Sequence, residues 1–134
     1  MTKQELEYYI NGLTHMISTT PSYINAYCLD KQKYKTEFSK KLEVPIENIK
    51  LKESKNSLKE IVTTWENPKT ADTFCYWLGQ KVGEIKQILQ PQDNSLEEKL
   101  SGMNGGVSGF YIVEEVYFVE CSNYVICICM GNNE

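Results

Sequence analysis

The closing stretch YVICICMGNNE sets Cys127 and Cys129 one residue apart, with Cys121 just upstream. Thiols this close raise three chemistries: zinc binding, redox exchange and nucleophilic attack. A tetrahedral zinc site needs four converging ligands. A strand points residues i and i+2 to one face, so Cys127 and Cys129 face the same way as Val125. With Ser122-Asn123 as the turn, Cys121 pairs with Tyr124, Val119 with Ile126, Phe118 with Cys127 and Val116 with Cys129. Cys121 then points to the opposite face, and the three sulfurs do not converge; an odd-length loop would flip one strand and bring them together. The only histidine, His15, is far away in sequence. No metal and no cofactor is expected. The cysteines read as small buried apolar side chains, a common fate of free cysteine.

Other candidate groups fare similarly. Glu114, Glu115 and Glu120 could form a general acid and base, but a regular strand points Glu114 and Glu115 to opposite faces. The stretch SGMNGGVSG holds Gly102, Gly105, Gly106 and Gly109. A phosphate cradle runs strand, loop, helix; here the order is helix, loop, strand, so a helix end and a connection are expected instead. His15 lies beside the apolar stripe of its helix, and a dyad would need a cysteine or serine brought to it. An enzyme using a thiol or a carboxylate pair in a pocket between helices and sheet is the alternative reading. Its mark would be His15, a cysteine or paired acids within reach in the largest pocket.

All 14 basic residues are lysine, and arginine is absent. The chain therefore lacks the rigid fork that reads phosphate, carboxylate or guanine in two bonds. Thirteen lysines stand against eleven acids in residues 1–89, but one lysine, Lys99, against seven acids in residues 90–134. The lysines between Lys31 and Lys59 alternate with Glu37, Glu43, Glu47 and Glu53. They read as a solvated mixed face, with weak nucleic-acid binding through Lys31–Lys59 as a second alternative. Alanine occurs only as Ala26 and Ala71 while lysine, asparagine, isoleucine and tyrosine abound. That bias suggests a low-GC bacterium or its phage.

The elements that must position these groups follow from periodicity. Thr2 and Glu5 make a capping box, and Leu6, Tyr9, Ile10, Leu13, Met16 and Ile17 form one helical stripe. Thr20-Pro21 reads as a second helix start, and Ile24, Tyr27, Cys28, Tyr34, Phe38 and Leu42 carry helix to about Leu42, with Asp30 as an optional break. Residues 48–52 alternate as a short edge strand. Ser57 with Glu60 opens a third helix, with Leu58, Ile61, Val62 and Trp65 inward. The longest helix is expected from Thr70 to Leu89, stopped by Pro91, and a short one from Ser95 with Glu98. From Gly109 the period changes to the β-branched and aromatic runs of a hairpin, and Glu114-Glu115 marks a bulge or bend. The reading is α+β: a single domain over 1–134, with about five N-terminal helices packed on a C-terminal antiparallel β-hairpin or small sheet. The last strand is apolar on both faces, so either helices cover both or one face meets a partner chain, a second copy included.

No apolar run approaches the roughly 20 residues a membrane span needs, and MTKQELEYYI carries charge where a signal peptide is apolar. With five cysteines, an odd number, the expected setting is a reducing cytoplasm. Nine tyrosines exceed what a core can hold, and tyrosine is enriched at protein interfaces. The expected function is therefore binding to another protein, of the kind performed by inhibitors and by immunity or counter-defence proteins. A net charge of −4 suits a partner with a basic surface. The expected contact is an exposed acidic strand, Glu114, Glu115 and Glu120, with the adjoining Gly105 and Gly106. Reversing Glu114 and Glu115 to Lys should then weaken binding and leave the fold intact.

Overall fold

A computed structural model describes residues 2–17, 22–45, 49–101 and 112–132. Helix α1, Lys3–Ile17, starts at the expected capping box: Thr2 N donates to Glu5 Oε1 at 3.2 Å and Glu5 N to Thr2 Oγ1 at 3.1 Å. Its stripe buries Leu6, Ile10 and Ile17, but Met16 is 80% exposed and not part of it.

The chain then departs from expectation. Residues 22–30 form strand β1, Ser22–Asp30, rather than helix. Ile24, Tyr27 and Cys28 fit helical spacing, yet Ile24, Ala26 and Cys28 also fit a strand face, and an apolar run this short satisfies both periods. Pairing along nine residues with a distant strand decides the matter. The proposed cap at Thr20-Pro21 lies outside the described residues. A 3-10 turn, Lys31–Lys33, leads into α2, Tyr34–Leu42, which ends where Glu43 takes a left-handed φ of 55°. Strand β2, Leu51–Glu53, is the short edge strand, shifted slightly along the chain.

Helix α3, Leu58–Thr63, carries the Ser57–Glu60 capping box in full. Helix α4, Pro68–Val82, is capped by Asn67, whose side chain accepts from Thr70 N at 2.9 Å. It stops at Gly83, φ 75°, well before Leu89. Ile85–Pro91 is strand β3 instead of the helix's last turns. Short α5, Ser95–Leu100, has no side-chain cap from its N-cap Asn94; Asp93 Oδ1 accepts from Ser95 N at 2.9 Å. Strands β4, Ile112–Cys121, and β5, Tyr124–Asn132, form the expected hairpin in the expected register, Phe118 opposite Cys127 and Val116 opposite Cys129. The register shifts between Val113 and Glu115, at the anticipated bulge.

The architecture is α+β, but helices and strands alternate along the chain instead of five helices preceding a hairpin. The five strands of the described residues make one antiparallel sheet in the order β1-β5-β4-β3-β2. The hairpin is thus its middle, not its edge. Helices α1, α3 and α4 pack on the face carrying Tyr117, Val119, Cys121, Ile126 and Ile128. Helices α2 and α5 pack on the face carrying Val116, Phe118, Val125, Cys127 and Cys129. That accounts for a strand apolar on both sides: each face has its own helical cover. No helix among the described residues is long and apolar enough to cross a membrane.

Candidate functional site

The thiols are distributed as the register demands. Cys127 and Cys129 sit in the α2–α5 layer, while Cys121 and Cys28 sit in the opposite one. Burial pushes Cys28 up to about 12 and Cys121 up to about 11. Cys127 is raised by burial first and then by its hydrogen bond with Cys129. Half-buried Cys75 is raised by burial and by nearby Asp72. A raised thiol has little thiolate at neutral pH, and the thiolate is the nucleophile. Cys28 lines a cleft of 220 Å³ with Lys3, Gln4, Glu7 and Lys41. Exposed His15, in the last turn of α1, lines neither this cleft nor the 450 Å³ groove between residues 53–58 and 85–88. No His, Cys, Asp and Glu grouping suited to a metal occurs among the described residues.

The acidic strand is not the open surface that was expected. β4 lies between β3 and β5. Only Glu114 of its glutamates is exposed. Glu115 is half-buried, accepting from Trp65 Nε1 at 2.5 Å and from the Tyr117 hydroxyl. Glu120 accepts from Gln87 Nε2 at 2.7 Å and lies 3.5 Å from Lys31 Nζ. A lysine at 115 would face two hydrogen-bond donors, so charge reversal probes the surface at Glu114 alone. Gly105 and Gly106 lie outside the described residues.

Three lysines of the Lys31–Lys59 segment, Lys31, Lys41 and Lys59, are paired with carboxylates of the molecule. Lys31 pairs with Glu120, and Lys59 with Asp72 at 2.9 Å. Lys41 donates to both oxygens of Glu7 at 2.7 and 2.8 Å and lies over the Tyr27 ring. Lys33 and Lys40 line a cleft shared with Lys3, Asp30 and Glu37. Positive charge there is interleaved with acid, which is the mixed face expected from the sequence.

A different surface stands out. Helices α1 and α4 pack side by side over the sheet. Their outward residues include Met16 at 80%, Tyr8 at 65%, Tyr76 at 60% and Trp77 at 48% exposure. Tyr76 and Trp77 meet edge to face, centroids 5.2 Å apart and planes at 86°. Tyr9 ties the helices together: its hydroxyl donates to Trp77 O at 3.4 Å, and Lys81 Nζ lies 5.3 Å from its ring centroid. Of the residues expected in the α1 stripe, Tyr9 packs partly buried against the core, whereas Met16 does not. The missed signal was angular: Met16, Tyr76 and Trp77 fall outside the arc that Leu6, Ile10, Phe74 and Leu78 define. Comparison with protein-family models, curated proteins and solved structures finds no match for this chain.

Proposed function

We propose that this chain acts by binding another protein through the outer face of α1 and α4. The observation carrying this reading is the exposed edge-to-face pair Tyr76–Trp77 on a helical layer that already holds Tyr9 against Lys81. Such side chains supply large contact area at low entropic cost and dominate binding energy where they occur at interfaces. Single exposed apolar residues are ordinary; Tyr76 and Trp77 are two exposed rings in contact with each other. A net charge of −4 adds the rest of the reading: a partner with a basic surface, covered in the manner of an inhibitor.

The test is affinity purification from the native host, identification of the co-purifying protein, and titration of that protein once purified. Tyr76→Ala/Trp77→Ala should weaken binding by about 30-fold, equivalent to a hot spot of about 2 kcal/mol. Glu114→Lys should change mainly the association rate and its salt dependence. Full affinity in the folded aromatic double variant would remove this surface from consideration.

A further inference from the structure

Helix α5 is six residues long, and its N-cap Asn94 supplies no side-chain hydrogen bond. A helix this short does not hold itself in water, so packing must hold it. Two attachments do so. Leu96 and Leu100 are fully buried, in the layer that also holds Val113 and Val116. At the C-terminal end Ser101 Oγ donates to Glu97 O at 2.7 Å and accepts from Val113 N at 2.8 Å, which ties α5 to β4.

Glu97 lies between the two leucines and works against that attachment. It is buried, and its Oε2 has no hydrogen-bond partner among the described residues. The charged groups that act on it are Asp93 and Glu98 on its own segment and Glu115 on β4, and all three are acids. Tyr117, also on β4, stays neutral; Lys99 and Glu114 are exposed. A buried carboxyl is far costlier to hold charged than neutral. The least costly relief is local. Lifting one six-residue helix leaves the five strands paired, and small, weakly held units open well below the free energy of global unfolding.

We infer that α5 is a pH-sensitive flap: it closes on β4 while the Glu97 carboxyl holds its proton and lifts from β4 when that carboxyl ionises. Burial first, and then the surrounding acids, raise the pKa of Glu97 above 4.5. The closed form is therefore fully favoured below that pH and loses its advantage as the pH rises through the raised value. Lifting bares Leu96, Leu100, Val113 and Val116, so this layer offers an apolar surface near neutrality and hides it in acid.

Amide hydrogen exchange read by NMR tests this, each rate divided by its intrinsic base-catalysed rate. The reporters are Glu98 N, bonded to Asn94 O at 3.1 Å, Ser101 N, bonded to Glu97 O at 3.0 Å, and Val113 N. In the parent their protection should fall by at least about tenfold from about pH 4.5 to about pH 7.5, while amides in the β1–β5 pairing keep theirs. In Glu97→Gln, which keeps the size and loses the charge, the three should stay protected throughout. Parent reporters that keep their protection overturn the inference, since the ionised side chain would then turn to solvent with α5 in place. The same fall in Glu97→Gln overturns it too. If that variant does not fold, the carboxyl carbon shift of Glu97 in the parent decides: its titration midpoint must lie above 4.5 and coincide with the loss of protection. A midpoint at the ordinary value, or apart from that loss, overturns the inference equally.

Discussion

At the scale of single residues, Glu97 is the group least at ease. It is 9% exposed on α5, and its Oε2 has no hydrogen-bond partner among the described residues. Burial raises its pKa above the ordinary 4.5, and Asp93, Glu115 and Glu98 add to the rise. A carboxyl whose folded pKa is raised contributes stability fully below its unfolded value. That contribution is lost as the pH climbs through the folded one. Glu97→Gln removes the charge, so it should raise Tm by a few degrees at neutral pH. The gain should disappear below pH 4.5, where parent and variant are both uncharged at this position. Calorimetry across that range checks the sign; a neutral variant that melts lower at pH 7 would refute it. Glu115 shows the opposite management of a carboxylate, its oxygens occupied by Trp65 and Tyr117. Tyr117 in turn is held protonated, by burial first and by that hydrogen bond second.

At the scale of elements, Gly83 decides where α4 ends and therefore whether β3 exists. Its φ of 75° and ψ of −151° belong to a region that side-chain-bearing residues avoid. A Cβ built there would meet only Ser122, at 3.5 Å from Oγ, so there is room and the penalty is conformational. Gly83→Ala should destabilise the fold by about 1–3 kcal/mol, read from the shift of the urea midpoint at constant slope. An alanine variant of parental stability would mean that the backbone relaxes out of this conformation freely. The same turn frees Ile85 and Leu89, which fall at helical spacing after Leu78 and Val82, from continuing the α4 stripe. Ile88 goes to the α4 side of the sheet and Leu89 to the other.

At the scale of the whole molecule, β5 is the element on which both halves depend. It pairs with β1 along nine residues and with β4 on its other side, and it feeds both core layers. Its partner β1 lies about a hundred residues earlier, so the sheet cannot close until nearly all of the chain is present. Such long-range pairing predicts slow folding for the chain's size. A chain truncated after Asn123 should lose cooperative unfolding, because β1 and β4 each lose a partner and both helical layers lose their floor. Circular dichroism with thermal melting reads this directly. A truncated chain that melts cooperatively near the parent temperature would show that β5 is an addition to a fold already complete.

Much of this was legible in the residues alone. The capping boxes at Thr2 and Ser57, the hairpin register and the bulge near Glu114 are set by local chemistry and by alternation over seven or more residues. The divergence of the cysteines follows from that register. Two segments were misread as helix, 22–30 and 85–89, because short apolar runs satisfy both periods, and only a partner strand distinguishes them. The misreading had a functional consequence. With those segments helical, the hairpin was an exposed acidic edge; with them as strands, it became the centre of a sheet. Glu115 and Glu120 acquired partners, and the edges passed to β1 and β2. Exposure belongs to the assembled layers, since the same helical stripe that buries Leu6 and Ile10 leaves Met16 and Trp77 outside. Composition and period determined the capped helix starts and the C-terminal hairpin, and that both faces of β5 would be covered or bound. Which residues remain on the surface was decided by long-range pairing, whose reward depends on positions a hundred residues apart that no local window contains.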